Sequence, residues 1–401
     1  MLEILSNKNY RIFLIGVLFN DAALILSPMI MGWVMLTISD SPLMVGMAAG
    51  LGGFGLALFS PFTGALIDRL NKKNVMIVAL LCQSLISLIF GILLFVDFIK
   101  VWQLLIIAFC GGAVGSIRLT CKLAIPAELV REDQLLRASA TNFFSITIMA
   151  IFAPLYGGWV LKEIGFAYAP WSACTFLVLS ALIMSRIKEI NSPEIQYGNT
   201  YLIDLVEGIK NLVSNKKVRV LILIVLTSET FGWSVEAMLP IIAREELGVD
   251  SVGLGYLMAA GAVGASVTSL MISLIPDVKN KGLMVTVGLT GFGLFLVLFS
   301  ISDIFWLSTI LLACTYGFGL CYETSINTML QITVPPRMRG RVLSFQTFGW
   351  GFSGMAGFMT GAVALMFGAP IAIAAGGSVV AIQGVRTARN MFRIGTTHLS
   401  R

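Results

Sequence analysis

Charge is scarce in this chain. Only 12% of its 401 residues are Asp, Glu, Lys or Arg, against 57% apolar. A soluble globular protein carries about 25% charged residues, so there is too little charge here to cover a water-facing surface. Histidine is almost absent. The only one, His398, sits three residues from the end, which argues against His-based triads and His-ligated zinc or haem. The six cysteines (Cys82, Cys110, Cys121, Cys174, Cys314, Cys321) form no CxxC pair and lie in apolar segments. They read as small buried hydrophobes rather than redox or metal groups. No GxxxxGK[ST] occurs, so no P-loop hydrolyses ATP. Glycine and proline are scattered through long apolar runs, which removes collagen-like and disordered classes. Met1–Tyr10 lacks the layout of a signal peptide, and the apolar stretch after it is too long to be one. No cofactor and no metal is expected. What remains is a polytopic membrane protein.

A bilayer core of about 30 Å needs roughly 20 apolar residues per helix. Cutting the chain at its polar breaks predicts twelve helices: 10–37, 43–67, 74–97, 102–124, 134–161, 166–186, 218–243, 251–276, 282–301, 304–330, 341–367 and 369–385. Alternate breaks then share a side with both termini, and 22 of the 27 lysines and arginines fall on that side. The opposite side has only Lys100, Lys162 and Arg244, while Arg118 and Lys122 lie within a helix. By the positive-inside rule both ends are cytoplasmic. The net charge of +6 is an orientation signal and does not imply a nucleic-acid partner.

The longest polar break falls between the sixth and seventh helices. Within it Tyr201, Leu202, Leu205, Val206, Ile209, Leu212 and Val213 recur with helical spacing, with Asp204, Glu207 and Lys210 opposite. This predicts an amphipathic helix on the cytoplasmic membrane surface, the alternative being a solvated linker. Two polar breaks also recur at one offset. Asp68-x-x-Asn71-Lys72 matches Asp277-x-x-Asn280-Lys281, and Pro126-Ala127-Glu128 matches Pro335-Pro336-Arg337, each 209 residues later. Repeated six-helix halves are a transporter architecture.

At Gly64-Ala65-Leu66-Ile67-Asp68-Arg69-Leu70-Asn71-Lys72-Lys73 the chain resembles the loop 2–3 signature of the major facilitator superfamily, G-x-x-x-D-R-x-G-R-[RK]. Asn71 stands for the second glycine and Lys72 for the arginine. Ala153-Pro154-Leu155-Tyr156-Gly157-Gly158 resembles the antiporter motif G-P-x-x-G-G, with alanine for the first glycine. Asn20-Asp21, Thr37 to Pro42, Ile125 to Val130, and Val334 to Val342 with its Arg337 and Arg341 resemble the drug:proton antiporter branch that includes macrolide and siderophore exporters. The resemblance implies an all-α membrane protein of twelve transmembrane helices in two six-helix bundles, residues 1–188 and 218–401. A cytoplasmic central loop, 189–217, joins them. It also implies that Asp68 and Arg69, with Gly64, Lys72, Lys73, Glu128, Arg337 and Arg341, form a conformational gate. Pro154, Gly157 and Gly158 form the antiporter-like motif.

Six charges fall inside predicted helices: Asp21 in the first, Arg118 and Lys122 in the fourth, Glu229 and Glu236 in the seventh, Glu323 in the tenth. A charge near the bilayer centre costs at least about 2.5–3.5 kcal/mol and is functional by default. The resemblance places those four helices around the translocation path. At about 1.5 Å per residue, Asp21 and Glu229 lie near the midplane, one in each half. A desolvated carboxyl favours its neutral form, so proton uptake and release there could alternate with substrate. Arg118 could keep a neighbouring carboxylate ionised or attract an anionic substrate. Lys122 could snorkel to the interface, and Glu236 could be solvated. Phe19, Met29, Met31, Trp33, Phe143, Trp233, Met238, Tyr316, Tyr322 and Trp350 are expected wall positions for a lipophilic ligand.

The expected function is export of a small amphiphilic organic compound against protons, from a bacterial-type inner membrane, by a monomer. Alternatives are a lysophospholipid flippase or nutrient importer of the same fold, and a non-transporting sensor. A membrane-embedded enzyme would need a nucleophile–base pair or a metal cluster at one depth, and none is present.

Overall fold

Long apolar runs in a bilayer must satisfy every backbone N–H and C=O internally, which leaves the helix as the spanning form. The computed structural model describes residues 6–131, 134–188, 216–274, 281–333 and 339–396. For some helical residues, among them Asp68, Arg69, Arg341 and Trp350, it describes the backbone alone. The amphipathic segment, Arg337 and His398 lie outside the described residues.

The helices are α1 (Lys8–Ser39), α2 (Pro42–Arg69), α3 (Lys72–Phe95), α4 (Val101–Ala124), α5 (Leu135–Trp159), α6 (Tyr168–Ser185), α7 (Lys216–Phe231), α8 (Ser251–Leu274), α9 (Lys281–Ser300), α10 (Phe305–Thr333), α11 (Arg339–Phe367) and α12 (Ala369–Thr396). Eleven spans among the described residues are long and apolar enough to cross a membrane, and α11 contributes the shorter apolar run Gly351–Phe367. The all-α, twelve-helix expectation therefore holds. Helix ends follow local chemistry. Asn7 caps α1, its Oδ1 accepting from the amides of Asn9 and Tyr10 at 3.0 and 3.2 Å. The wide turn Val160–Ile164 that continues α5 stops at Gly165, where φ is 126°.

Two helices differ from expectation. α7 is interrupted at Gly232–Ser234 and resumes over Val235–Ile241. Both the Gly232 and Trp233 amides turn back to the Ser228 carbonyl, at 2.8 and 3.0 Å, and the second, five residues on, widens the turn and breaks the regular ladder. α12 runs to Thr396 rather than 385. Helical hydrogen bonds do not require an apolar sequence, so the helix continues through the basic stretch after Val385.

The chain divides into two compact units. Unit 1 comprises residues 1–40, 47–196 and 250–259; unit 2 comprises 41–46, 197–249 and 260–401. In unit 1, α1 packs on α4, α5 and α6, and α3 lies against α4 and α6. In unit 2, α9 packs between α10 and α12, while α7 contacts α10, α11 and α12. Val218, Leu221, Leu289, Phe292, Tyr322 and Ile326 form the core there.

Because lipid tails are as apolar as leucine, close backbone approach rather than hydrophobic burial holds such helices together. Two pairs of glycines repeat that approach. A Cβ on Gly55 would meet the Phe109 backbone of α4 in unit 1, and one on Gly264 would meet the Ala313 backbone of α10 in unit 2. Likewise Gly46 lies against Gly357 and Gly361 within unit 2, and Gly255 against the Pro154 carbonyl within unit 1. Both pairs are 209 residues apart, the offset of the polar breaks. Gly55→Leu and Gly264→Leu are each expected to lower stability by about 2–3 kcal/mol through overpacking. Thermal unfolding in detergent checks this, and an unchanged melting temperature for either variant contradicts the contact.

Candidate functional site: two buried groups of charged side chains

In unit 1 three helices bring a polar cluster together. Asp21 of α1 is 0% exposed. It accepts from the Lys122 ammonium of α4 at 2.7 and 2.8 Å, from Ser145 of α5 at 2.9 Å and from Asn20 Nδ2 at 3.1 Å. Lys122 is only 4% exposed. It does not snorkel, because Asp21 supplies its counter-charge inside the unit. Arg118, also 4% exposed, donates through Nε and Nη2 to Asn20 Oδ1 at 3.0 and 2.8 Å, and through Nη2 to the Asn20 carbonyl at 3.2 Å. Asn142 Nδ2 donates to the Lys122 carbonyl at 3.1 Å. A buried charge persists where it is paired and hydrogen-bonded, and Asp21 meets that condition fully. Asn142 and Ser145 were not singled out from sequence. Their spacing on one face of α5 within an apolar run was the available signal.

At one end of unit 1, Lys72 forms an ion pair with Glu128, tying the start of α3 to the one-turn helix Pro126–Leu129. Lys73 Nζ donates to the Ile187 carbonyl at 2.5 Å, and Asn71 Oδ1 caps α3 by accepting from the Asn74 amide. Gly64 lies one turn before Asp68 on α2. The motif charges at Lys72, Lys73 and Glu128 thus pair with neighbouring helix ends.

The antiporter-like motif ends in a second contact within unit 1. The Gly158 carbonyl accepts from Ser251 Oγ at 2.8 Å, and Gly157 lies against Leu26 of α1. Nearby, Lys162 Nζ is 2.9 Å from Asp250 Oδ2. Asp250 Oδ1 caps α8 by accepting from the Val252 and Gly253 amides at 3.0 and 3.1 Å. The Lys162 hydrogen bond and charge hold the Asp250 carboxyl below the usual carboxylate range. Its stabilising contribution is therefore present above the ordinary carboxyl pKa of about 3.9 and is lost as pH falls through the lower folded-state value. Asparagine caps as well as aspartate, so Asp250→Asn isolates the ion pair. Wild-type melting temperature is expected to exceed that of Asp250→Asn slightly at pH 6, with the gap closing below about pH 4. A gap independent of pH contradicts the assignment.

Unit 2 carries carboxyl groups and no buried cation among its described residues. Glu229 is 4% exposed, and no described cation forms an ion pair with it. Gly349 of α11 lies beside its Cγ. Glu236, just beyond the α7 interruption, is exposed and accepts from the Tyr316 hydroxyl at 3.1 Å. Glu323 of α10 is half-buried. The turn between Glu229 and Glu236 holds Trp233, whose ring lies 5.1 Å from Phe292 and 5.2 Å, edge-on, from Tyr316. Gly319 leaves room for that indole. Of the expected wall positions, Met29, Trp33, Met238 and Tyr322 are packed in the unit cores, whereas Phe143 is exposed. The interior of each unit recruits large side chains first.

Chemically, unit 1 holds a neutralised carboxylate beside an extra guanidinium, and unit 2 holds a buried carboxyl with no ion-pair partner among the described residues. Among the described residues no group of His, Cys, Asp and Glu could hold a metal.

Comparison with known proteins agrees with this architecture. The transmembrane secretion effector family matches residues 2–397. The chain is 23% identical over 313 residues to macrolide efflux protein A of Streptococcus pyogenes, covering 76% of each chain. It is 25% identical over 303 residues to the enterobactin exporter EntS of Shigella flexneri, covering 74% of this chain and 70% of that one. In fold it is similar to a POT family transporter solved with 5-aminolevulinic acid, with a TM-score of 0.78, 11% identity and 97% of both chains covered. It is also similar to the nucleoside transporter NupG, with a TM-score of 0.69, 14% identity, 96% of this chain and 99% of that one. With the family matching almost the whole chain, the protein belongs to the transmembrane secretion effectors of the major facilitator superfamily: a multi-pass membrane transporter and not an enzyme.

Proposed function

We propose that the protein exports a small amphiphilic organic compound in exchange for protons, by alternating access, and works as a monomer. Its place is the inner membrane of a bacterial-type cell, with both termini cytoplasmic. The charge count supports that orientation, and the relatives, named for macrolide efflux and enterobactin export, support the direction of transport.

The observation that carries proton coupling is the buried Glu229 with no ion pair among the described residues, set against an Asp21 already held by Lys122. A buried carboxyl without a cation is neutralised by a proton, so Glu229 is the leading coupling group. Glu323 and Glu236 are its neighbours in unit 2, and Asp21 exchanges its proton only if Lys122 leaves it. The motif charges at Asp68, Arg69, Lys72, Lys73, Glu128, Arg337 and Arg341 act as the gate that favours one conformation.

The test is export from proteoliposomes with an imposed pH gradient, using labelled macrolide and enterobactin as separate cargoes, and a pH-sensitive dye to read proton movement. Gradient-stimulated export with opposite proton flow is expected. Export indifferent to the gradient, with no proton movement, overturns proton exchange.

A further inference from the structure

Among the described residues unit 1 has two buried cations, Arg118 and Lys122, and only one of them bonds to the buried carboxylate. Both oxygens of Asp21 take the Lys122 ammonium. Arg118, one turn earlier on α4, bonds only to the neutral Asn20, and among the described residues its Nη1 donates to nothing. A guanidinium offers five donors in a planar fork suited to an oxyanion. With no carboxylate bonded to it among the described residues, its nearby counter-charge is Asp21, whose oxygens are already taken by Lys122.

Two further observations adjoin it. Gly115 lies three residues before Arg118, on the same helix face. It is buried, yet a Cβ there would meet nothing within 4 Å among the described residues. There is thus open space on α4 one turn from Arg118. Asn142, bound to the Lys122 backbone, keeps a buried Oδ1 with no hydrogen-bond partner, an acceptor open to a hydroxyl or amine of a ligand rather than to its anionic group.

We propose that Arg118 and the open space at Gly115 form a subsite for the anionic group of the exported compound. The cargo is then an organic anion, with a carboxylate or a similar oxyanion on an apolar body. This rests on the transporter reading and adds the charge class of the cargo. The guanidinium binds the oxyanion, Asn20 holds the guanidinium in place, and Asp21 keeps Lys122 from competing for the ligand.

Binding is measured by fluorescence anisotropy, without any pH gradient, on full-length protein in neutral-lipid nanodiscs. The probes are fluorescein, an anion, and rhodamine 123, a cation on the same ring scaffold. Wild type is expected to prefer fluorescein by about tenfold or more. Arg118→Gln, which can still hydrogen-bond Asn20, is expected to lose that preference while keeping its affinity for rhodamine 123. Gly115→Leu is expected to weaken fluorescein binding with every charge left in place. A wild-type preference for rhodamine 123 overturns the subsite without reference to any variant. So does an Arg118→Gln protein that melts like wild type and binds fluorescein equally well. Loss of the fluorescein preference when phosphatidylglycerol is added assigns the guanidinium to lipid and also overturns the proposal. Since no gradient is applied, a failure of proton exchange leaves these readings untouched.

Discussion

Replacing Lys122 by methionine is expected to lower the unfolding free energy by about 3–5 kcal/mol, because it leaves a buried carboxylate without its counter-charge. Asp21 is fully enclosed, and Lys122 contacts both of its oxygens. Ser145 and Asn20 remain as donors, but neither carries charge. Asp21→Asn is expected to destabilise for the mirror reason, leaving a buried ammonium facing an amide. The double variant Asp21→Asn/Lys122→Met removes both charges together. It is expected to recover most of the loss, since a buried pair replaced as a unit is often close to neutral. Thermal and detergent-induced unfolding of the four proteins completes the cycle. If the two single losses simply add in the double variant, the pair does not couple α1 to α4.

Glu229→Gln is expected to reduce gradient-driven export on the order of 100-fold, the scale of losing a positioned proton carrier, while leaving substrate counterflow in place. Glutamine keeps the volume beside Gly349 and the hydrogen-bonding capacity, and loses only the titrating proton. Counterflow needs binding and conformational exchange but no proton step, so the two assays separate carrier loss from misfolding. Glu236→Gln is expected to have a smaller effect, because Glu236 lies exposed and already bonded to Tyr316. Full gradient-driven export by Glu229→Gln moves proton coupling to another group.

Hydropathy made most of the helix ends legible, because the polar breaks are the only places the chain can leave the bilayer. The α7 interruption was not legible. Gly232-Trp233-Ser234 carries no charge and no proline to mark a break, and the turn depends on where the Ser228 carbonyl finds its donors. The extension of α12 was missed because the apolar run ends near Val385 while the backbone ladder does not. In the candidate site, the location of Arg118, Lys122 and Asp21 on α4 and α1 was readable, but their pairing was not. Lys122 and Asp21 are 101 residues apart, and which cation takes the carboxylate follows from how α4 lies against α1. Aromatic and methionine side chains misled for a related reason. Lipid, protein core and cargo all attract the same apolar surface, so composition could not tell the packed Met238 and Tyr322 from the exposed Phe143.

The glycines that stand 209 residues apart have a bearing on ancestry. Gly55 with Gly264 and Gly46 with Gly255 make the same kind of contact on corresponding helices, as expected if a six-helix ancestor was copied and fused with its close contacts intact. Charge did not follow. At the same offset Asp21, Arg118 and Lys122 correspond to Thr230, Asn327 and Gln331, and Glu229, Glu236 and Glu323 to Asn20, Ser27 and Val114. None of the six intramembrane charges has a charged twin. The scaffold is thus shared between the halves and the chemistry is divided: one copy became the cationic half, the other the acidic half. A swap that gave either half the other's ionisable set would erase this polarity while leaving every glycine contact in place.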